Sequence, residues 1–196
     1  MAELRIGCLV MAAGSGSRFG RNKLEAVVDG KSLLRRSLEA VPAEEFAQVT
    51  VVTQYDAAAA LAEEFGFTVV RNDRPEDGLS RTVRLGTEAM AGCDAILYQV
   101  ADQPLLEQET VRRELEYFRM HPDHIVGLAH NGVRGNPCIF PRKFFPELMA
   151  LEGDVGGSVV IRAHPDALLL YETSAAELRD VDTVEALAAV QEDRQI

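Results

Sequence analysis

At 196 residues, 47% hydrophobic and 26% charged, the sequence has the composition of one globular domain and excludes a disordered or fibrous chain. Its 31 acidic residues against 20 basic ones give a net charge of −11, which argues against nucleic acid as a partner. Any anionic ligand must therefore meet a local cluster of positive charge. No basic signal-peptide region precedes the first apolar run, and that run is too short to cross a membrane. Cys8, Cys93 and Cys138 are scattered, without a Cys-x-x-Cys spacing, so buried free thiols are expected. A cytoplasmic protein with no membrane partner is the expectation. His121, His124, His130 and His164 have no metal-ligand spacing and read as loop and surface residues.

The first element is the apolar run Ile6–Ala13, which has the length of a buried strand. It feeds into Gly14-Ser15-Gly16-Ser17-Arg18-Phe19-Gly20, followed by Lys23. Glycines let a backbone take left-handed conformations and approach a ligand closely. Several amides can then face one anion, and Arg18 and Lys23 add full charges. Such a loop suits a polyphosphate. It is not a Walker loop, because Gly20 is followed by Arg21-Asn22-Lys23. It is not the dinucleotide fingerprint either. Phe19 stands where the third glycine belongs, and the second strand ends in Thr53-Gln54 with no acidic residue.

Strand and helix signals then alternate, which predicts βαβ units and a mostly parallel sheet. Asp29-Gly30 is a turn, and Ser32–Ala40 a helix closed by Pro42. Gln48–Thr53 is the second strand. Asp56 is expected to cap the helix Ala57–Phe65, which Gly66 ends. Phe67–Arg71 is a third strand, Asn72–Gly78 a polar loop, and Ser80–Met90 a helix. Ala95–Val100, apolar throughout, is the fourth strand and leads into Ala101-Asp102-Gln103-Pro104. Thr110–Met120 is a helix and His124–His130 a fifth strand. Asn131–Asn136 reads as a loop, Pro137–Phe140 as a short strand, and Arg142–Leu151 as a helix. Gly153–Gly157 is a tight loop opening another helix. Ala167–Tyr171 is the last clear strand, and Asp180-Val181-Asp182-Thr183 precedes a closing helix Val184–Gln191. No repeat, linker or composition break divides residues 1–196, so one domain is expected.

On a parallel sheet with right-handed crossovers, the glycine loop and Asp102 fall at the same carboxyl edge. A triphosphate on the loop could reach Asp102 through magnesium, which takes a few carboxylates together with phosphate oxygens and water. Asp182 is the candidate second carboxylate and Asp180 its alternative. The plainer readings are a turn for Asp102 and N-capping for Asp180 and Asp182. No Ser-His-Asp or Cys-His grouping argues for a covalent intermediate. A metal, a phosphate loop and cations suit transfer at phosphorus, where positioning and charge neutralisation do the work. An acceptor that is itself a phosphate monoester is already largely dianionic at neutral pH and needs no general base.

Six segments in order carry a family resemblance: Leu9–Gly20 with Lys23-Leu24; Asn72 with Gly78–Gly86; Ala101–Pro104; Gly135-Asn136-Pro137 with Phe140; Gly153–Gly157; and Asp180–Thr183. Together they resemble nucleotidyltransferases with a MobA-like NTP transferase domain, and more narrowly molybdenum cofactor cytidylyltransferases. The resemblance covers nearly the whole chain. It implies a three-layer α/β/α sandwich with a Rossmann-like sheet of the nucleotide-diphospho-sugar-transferase type. By position it implies that Ala12, Ala13, Gly14, Ser15, Gly16 and Ser17 hold the nucleotide, with Arg18 and Lys23 on the triphosphate. It implies nucleotide contacts from Asn72, Ser80 and Thr82, and magnesium on Asp102 and Asp182. Gly135, Asn136, Pro137 and Asp154 would face the acceptor, and Arg18, Lys23 and Asp102 would be catalytic. Ala12-Ala13-Gly14 goes with cytidylyl rather than guanylyl transfer in that family.

The implied reaction moves CMP from CTP to the terminal phosphate of molybdenum-molybdopterin and releases pyrophosphate. A molybdoenzyme that receives the cofactor is a further implied partner. Two acceptor-side positions depart from the family pattern: Ser158 replaces a frequent Arg, and Asn136 a frequent His. The open alternatives are GTP as donor, a sugar-phosphate-type acceptor on the same fold, and a non-catalytic cofactor chaperone. A short-chain reductase is excluded, because no Tyr has Lys four residues later.

Overall fold

The apolar run at the start of the chain becomes β1 (Ile6–Ala12), buried at every residue but Met11. It lies between β4 (Gln48–Thr53) and β6 (Ala95–Val100), parallel to both. A strand covered on both faces is apolar along its whole length, which is why no alternation marks it. The computed structural model describes residues 4–14 and 22–193. Among them a seven-stranded sheet runs β5-β4-β1-β6-β8-β7-β9, with β5 Thr68–Arg71, β7 Ile125–His130, β8 Val133–Pro141 and β9 Leu168–Glu172. Every neighbouring pair is parallel except β6–β8 and β7–β8. A small hairpin, β2 (Val27–Val28) and β3 (Lys31–Ser32), stands apart. Its turn is Asp29-Gly30, with φ of 46° and 75°.

Helices cover both faces. α1 (Leu33–Glu39), α2 (Asp56–Glu64) and α4 (Gln108–Met120) bury Leu38, Ala62, Leu115 and Phe118 against Ile6, Cys8, Val10 and Leu97. α3 (Leu79–Ala89), α5 (Phe145–Met149) and α6 (Ser158–Ala163) bury Val83, Leu148 and Val160 against Leu9, Ile96 and Phe140. α7 (Val184–Asp193) closes the chain, and Val190 joins a third cluster with Val28, Leu33 and Val181. The result is the expected three-layer α/β sandwich with a mostly parallel sheet. Cys8, Cys93 and Cys138 are buried free thiols. No helix among the described residues is long and apolar enough to cross a membrane.

Three expectations need correction. Asn131–Asn136 is not a loop: β7 and β8 form one hairpin whose turn is Asn131-Gly132, with φ of 51° and 73°. Asn-Gly favours that positive-φ pair, so the turn signal was in the sequence and the strand after it was longer than four residues. Asp56 is the first residue of α2 rather than its cap, and its carboxylate pairs with Arg71 instead. The helix expected over Arg142–Leu151 is a 3-10 turn, Arg142–Phe144, followed by the five-residue α5.

Glu114 on α4 is fully buried, and neither of its carboxyl oxygens has a hydrogen-bond partner among the described residues. Burial pushes its pKa well above the usual carboxylate range, so the folded protein holds it protonated. In the unfolded chain a glutamate ionises near about 4.3. The folded state therefore loses stability from this group as pH rises above that value toward the folded pKa. Glu114→Gln should therefore be more stable than the parent at pH 8. Urea unfolding should show the gap closing by pH 4. A gap independent of pH would contradict a neutral Glu114.

Candidate active site

Lys23 is placed by its neighbours. Asn22 caps a 3-10 turn over Lys23–Glu25, its Oδ1 accepting from the Leu24 amide at 3.2 Å. Leu24 is buried in the core, which turns Lys23 the other way, toward the carboxyl edge of the sheet. There Lys23 Nζ donates to Asp102 Oδ2 at 2.5 Å and to Asp182 Oδ1 at 2.7 Å. Burial alone would lower the Lys23 pKa, but the two carboxylates outweigh it and the pKa is raised.

Asp102 follows β6, and its carbonyl accepts the Val181 amide at 2.9 Å. Val181 is fully buried in the third cluster, which pins the 180–182 segment against this edge. Thr183, not an aspartate, caps α7: its Oγ1 accepts from the Ala186 amide at 3.1 Å. Both carboxylates are thus released from capping. Partial burial, then the nearby Asp102 and Asp182 charges, push the Asp180 pKa up to about 6, although Gln103 and Lys23 pull the other way. Asp102 Oδ1 is buried and has no partner among the described residues. A divalent cation fits this donor set, since it would satisfy that oxygen and relieve the crowded carboxylates. No ready-made cage of three ligating side chains exists among the described residues.

Ala12, Ala13 and Gly14 leave β1 at the same edge. Three consecutive residues at the end of β4 hold their carbonyls. Thr53 Oγ1 donates to Ala12 O at 2.9 Å, Gln54 Nε2 to Ala13 O at 2.7 Å, and Tyr55 Oη to Gly14 O at 2.9 Å. In a trans peptide the next N–H points opposite the carbonyl, so the amides of Ala13 and Gly14 face away from β4. Arg71 braces this clamp by donating to the Tyr55 carbonyl at 2.9 Å. Sequence reasoning saw Thr53-Gln54 only as the absence of an acidic residue. Gly14 is not in the left-handed region, and a Cβ there would meet nothing within 4 Å among the described residues. Ser15, Gly16, Ser17 and Arg18 lie outside the described residues.

Asn72 ties this clamp to α3. Its amide donates to Thr53 O at 2.9 Å, its Nδ2 to Thr82 Oγ1 at 3.2 Å, and its Oδ1 accepts from Arg81 Nε at 3.1 Å. Asn72, Ser80 and Thr82 are all buried, so their side chains brace the start of α3 instead of opening to solvent. Asp154 also braces α3, its Oδ1 accepting from the Leu79 amide at 3.2 Å. Gly78, with φ of 85°, packs so tightly there that a Cβ would lie 2.5 Å from the Gly153 backbone.

β8 is antiparallel to β6, so its first half returns to the carboxyl edge and brings Gly135, Asn136 and Pro137 near Asp102. Asn136 lines two cavities. One, of about 260 Å³, is walled by Met11, Val83, Tyr98 and Phe140. The other, of about 490 Å³, is walled by Gln103, His130, Leu178 and Asp180. The fold thus brings Lys23, Asp102, Asp182, the Ala12–Gly14 turn and Gly135–Pro137 to one edge, with Asn72, Ser80, Thr82 and Asp154 as its support.

The family model of the MobA-like NTP transferase domain matches residues 8–168. The chain belongs to this family. MobA-like transferases are nucleotidyltransferases, and this chain is an enzyme of that kind. It is 23% identical over 188 residues to the purine catabolism protein PucB of Bacillus subtilis (strain 168), across 89% of this chain and 90% of that one. It is 29% identical over 118 residues to the 2-C-methyl-D-erythritol 4-phosphate cytidylyltransferase of Dehalococcoides mccartyi (strain CBDB1), across 57% and 52%. Rv0371c from Mycobacterium tuberculosis H37Rv superposes with a TM-score of 0.81 at 22% identity, covering 97% of this chain and all of that one. Its complex with manganese superposes with a TM-score of 0.79. The fold of this MobA-like transferase is that of the nucleotide-diphospho-sugar transferases.

The carbonyl clamp gives a test. Gln54→Ala with Tyr55→Phe should cost no more than about 2 kcal/mol of unfolding free energy, two partly exposed hydrogen bonds' worth. Nucleoside triphosphate affinity, read by calorimetry, should fall about tenfold, because preorganised amides lose their aim. Unchanged affinity would mean that the clamp does not position the loop.

Proposed function

We propose that this MobA-like transferase moves CMP from CTP to the terminal phosphate of molybdenum-molybdopterin, with magnesium, and releases pyrophosphate. The observation that carries the reading is the sharing of Lys23 between Asp102 and Asp182 beside the clamped Ala12–Gly14 turn. Support for CTP comes from the Ala12-Ala13-Gly14 start of the loop and from the cytidylyltransferase relative. Support for a divalent cation comes from the orphaned Asp102 Oδ1 and from the manganese complex of the structural neighbour. The molybdopterin acceptor rests on the six-segment resemblance.

In the reaction an acceptor phosphate oxygen attacks the α-phosphorus of CTP, the bond to the bridging β-oxygen breaks, and pyrophosphate leaves with its electron pair. Asp102 and Asp182 would hold the magnesium, which would supply charge neutralisation at the phosphates. Lys23 holds those carboxylates until substrate arrives and then adds its own charge to the triphosphate. The amides of Ala13 and Gly14, together with the residues that follow, cradle the phosphates, and Arg18 joins Lys23 there. Asn72, Ser80 and Thr82 hold the start of α3 on the nucleoside side. Gly135, Asn136, Pro137 and Asp154 form the acceptor side. A molybdoenzyme would take up the product. The erythritol-phosphate relative favours a second reading, in which the acceptor is a phosphorylated alcohol.

Pyrophosphate release from CTP, GTP and ATP with magnesium, with and without molybdopterin cofactor, tests both readings. Release specific to CTP and dependent on the cofactor is the expected result. Release only with a sugar-type phosphate would replace the acceptor, and no release despite cofactor binding would favour a chaperone. Asp102→Asn should lower transfer more than about 100-fold, as expected for loss of charge stabilisation at the transition state. Its circular dichroism should remain that of the parent. Lys23→Ala should weaken CTP binding without unfolding the protein.

A further inference from the structure

Arg134 is the one cation among the described residues lining either cavity at the carboxyl edge, and it lines both. Its stem lies over Gly127 of β7, where a Cβ would sit 3.3 Å from Arg134 Cγ and Cδ, so the groove for it is built into the sheet. Its Nη1 donates to Gly135 O at 3.2 Å and to Cys138 Sγ at 3.3 Å. Among the described residues it makes no ion pair, whereas Lys23, Arg71 and Arg81 at the same edge each hold a carboxylate. A partly buried guanidinium without a counter-charge, facing a cavity, is a seat for an anion.

The smaller cavity says what the anion is attached to. Tyr98 and Phe140 meet edge-to-face at 5.4 Å in its wall, with Met11, Val83 and Ile161. Leu79, 38% exposed, lines it from the start of α3. The Gly157 backbone lies so close to Phe140 that a Cβ would stand 2.7 Å from its ring, so the cavity keeps its width only with glycine there. A sugar's hydroxyls would find few partners on such walls, while an apolar ring system would be desolvated against them.

We propose that Arg134 is the acceptor-binding residue that grips the phosphate of a ring-bearing phosphate monoester, whose ring fills the cavity walled by Tyr98 and Phe140. The proposal rests on the transferase reading above and narrows its acceptor. The second cavity that Arg134 lines also contains Gln103, the residue after Asp102, and Asp180.

The test uses 1-naphthyl phosphate and glycerol 3-phosphate as probes, titrated into the full chain with CTP and magnesium present. The parent should bind the aryl phosphate about tenfold or more tightly than the glycerol ester, the worth of burying one ring. Arg134→Gln should lose about ten- to hundredfold in aryl phosphate affinity, the range for a hydrogen bond to a charged group, while CTP affinity stays within about twofold. Equal affinity in Arg134→Gln and parent, or a parent that prefers the glycerol ester, overturns the proposal. The parent's discrimination between probes needs no variant, so misfolding of Arg134→Gln does not shelter the idea. Arg134-dependent aryl phosphate binding in a protein that never releases pyrophosphate would keep this site and remove the transferase reading instead.

Discussion

Three segments far apart in the chain meet at one ammonium group. Lys23 belongs to the loop after β1, Asp102 to the end of β6, and Asp182 to the segment before α7. Asp102 and Lys23 are both mostly buried, so neither charge is carried by water, and each needs the other to offset its desolvation. A buried pair is costly to break by deleting one partner, because the charge that remains loses its offset. The rest of the edge holds this pairing in place. Val181 pins the Asp180–Asp182 segment, Thr183 takes over the capping, and Leu24 anchors the turn that presents Lys23.

The same edge shows how the turn after β1 is held without left-handed glycine at Gly14. Thr53, Gln54 and Tyr55 fasten three successive carbonyls, and the planarity of the peptide fixes where the intervening amides point. Asn72 joins this clamp to α3, so the end of β4 and the start of α3 are one hydrogen-bonded unit. Side chains that look like ligand contacts in a motif can be its scaffold. Buried Ser80 and Thr82 brace the backbone, and Asp154 caps α3 across the loop contact at Gly78.

Much of the candidate site was legible before the fold. Lys23 stood out because the chain has three lysines and one follows a glycine loop. Asp102 stood out because it ends an apolar strand. Other parts were not legible for physical reasons. Thr53-Gln54-Tyr55 carries no periodic or charge signal, since its function is to donate hydrogen bonds to a segment 41 residues earlier. Arg134 is one of many arginines in the sequence. Only the antiparallel return of β8 sets it between two cavities, and only distances across the fold show that no carboxylate pairs with it among the described residues. The reading of Asn131–Asn136 as a loop failed because polar residues on a half-exposed strand look like a loop when the hairpin turn beside them is overlooked.

What the sequence determined by itself is local. The apolar run of β1, the alternation of strands and helices, the turns at Asp29-Gly30 and Gly66 and the candidate charges follow from hydrophobic period, propensity and side-chain chemistry. What only the tertiary structure decided is which of those charges share a partner and which stand alone. Lys23 is matched to Asp102 and Asp182 because parallel strands deliver their carboxyl ends to one edge. Arg134 is left unmatched because Gly127 makes room for its stem and no carboxylate among the described residues reaches it. Charge pairing is a property of distances across the fold. Residues 79 or more apart in sequence have no local interaction through which their pairing could be read.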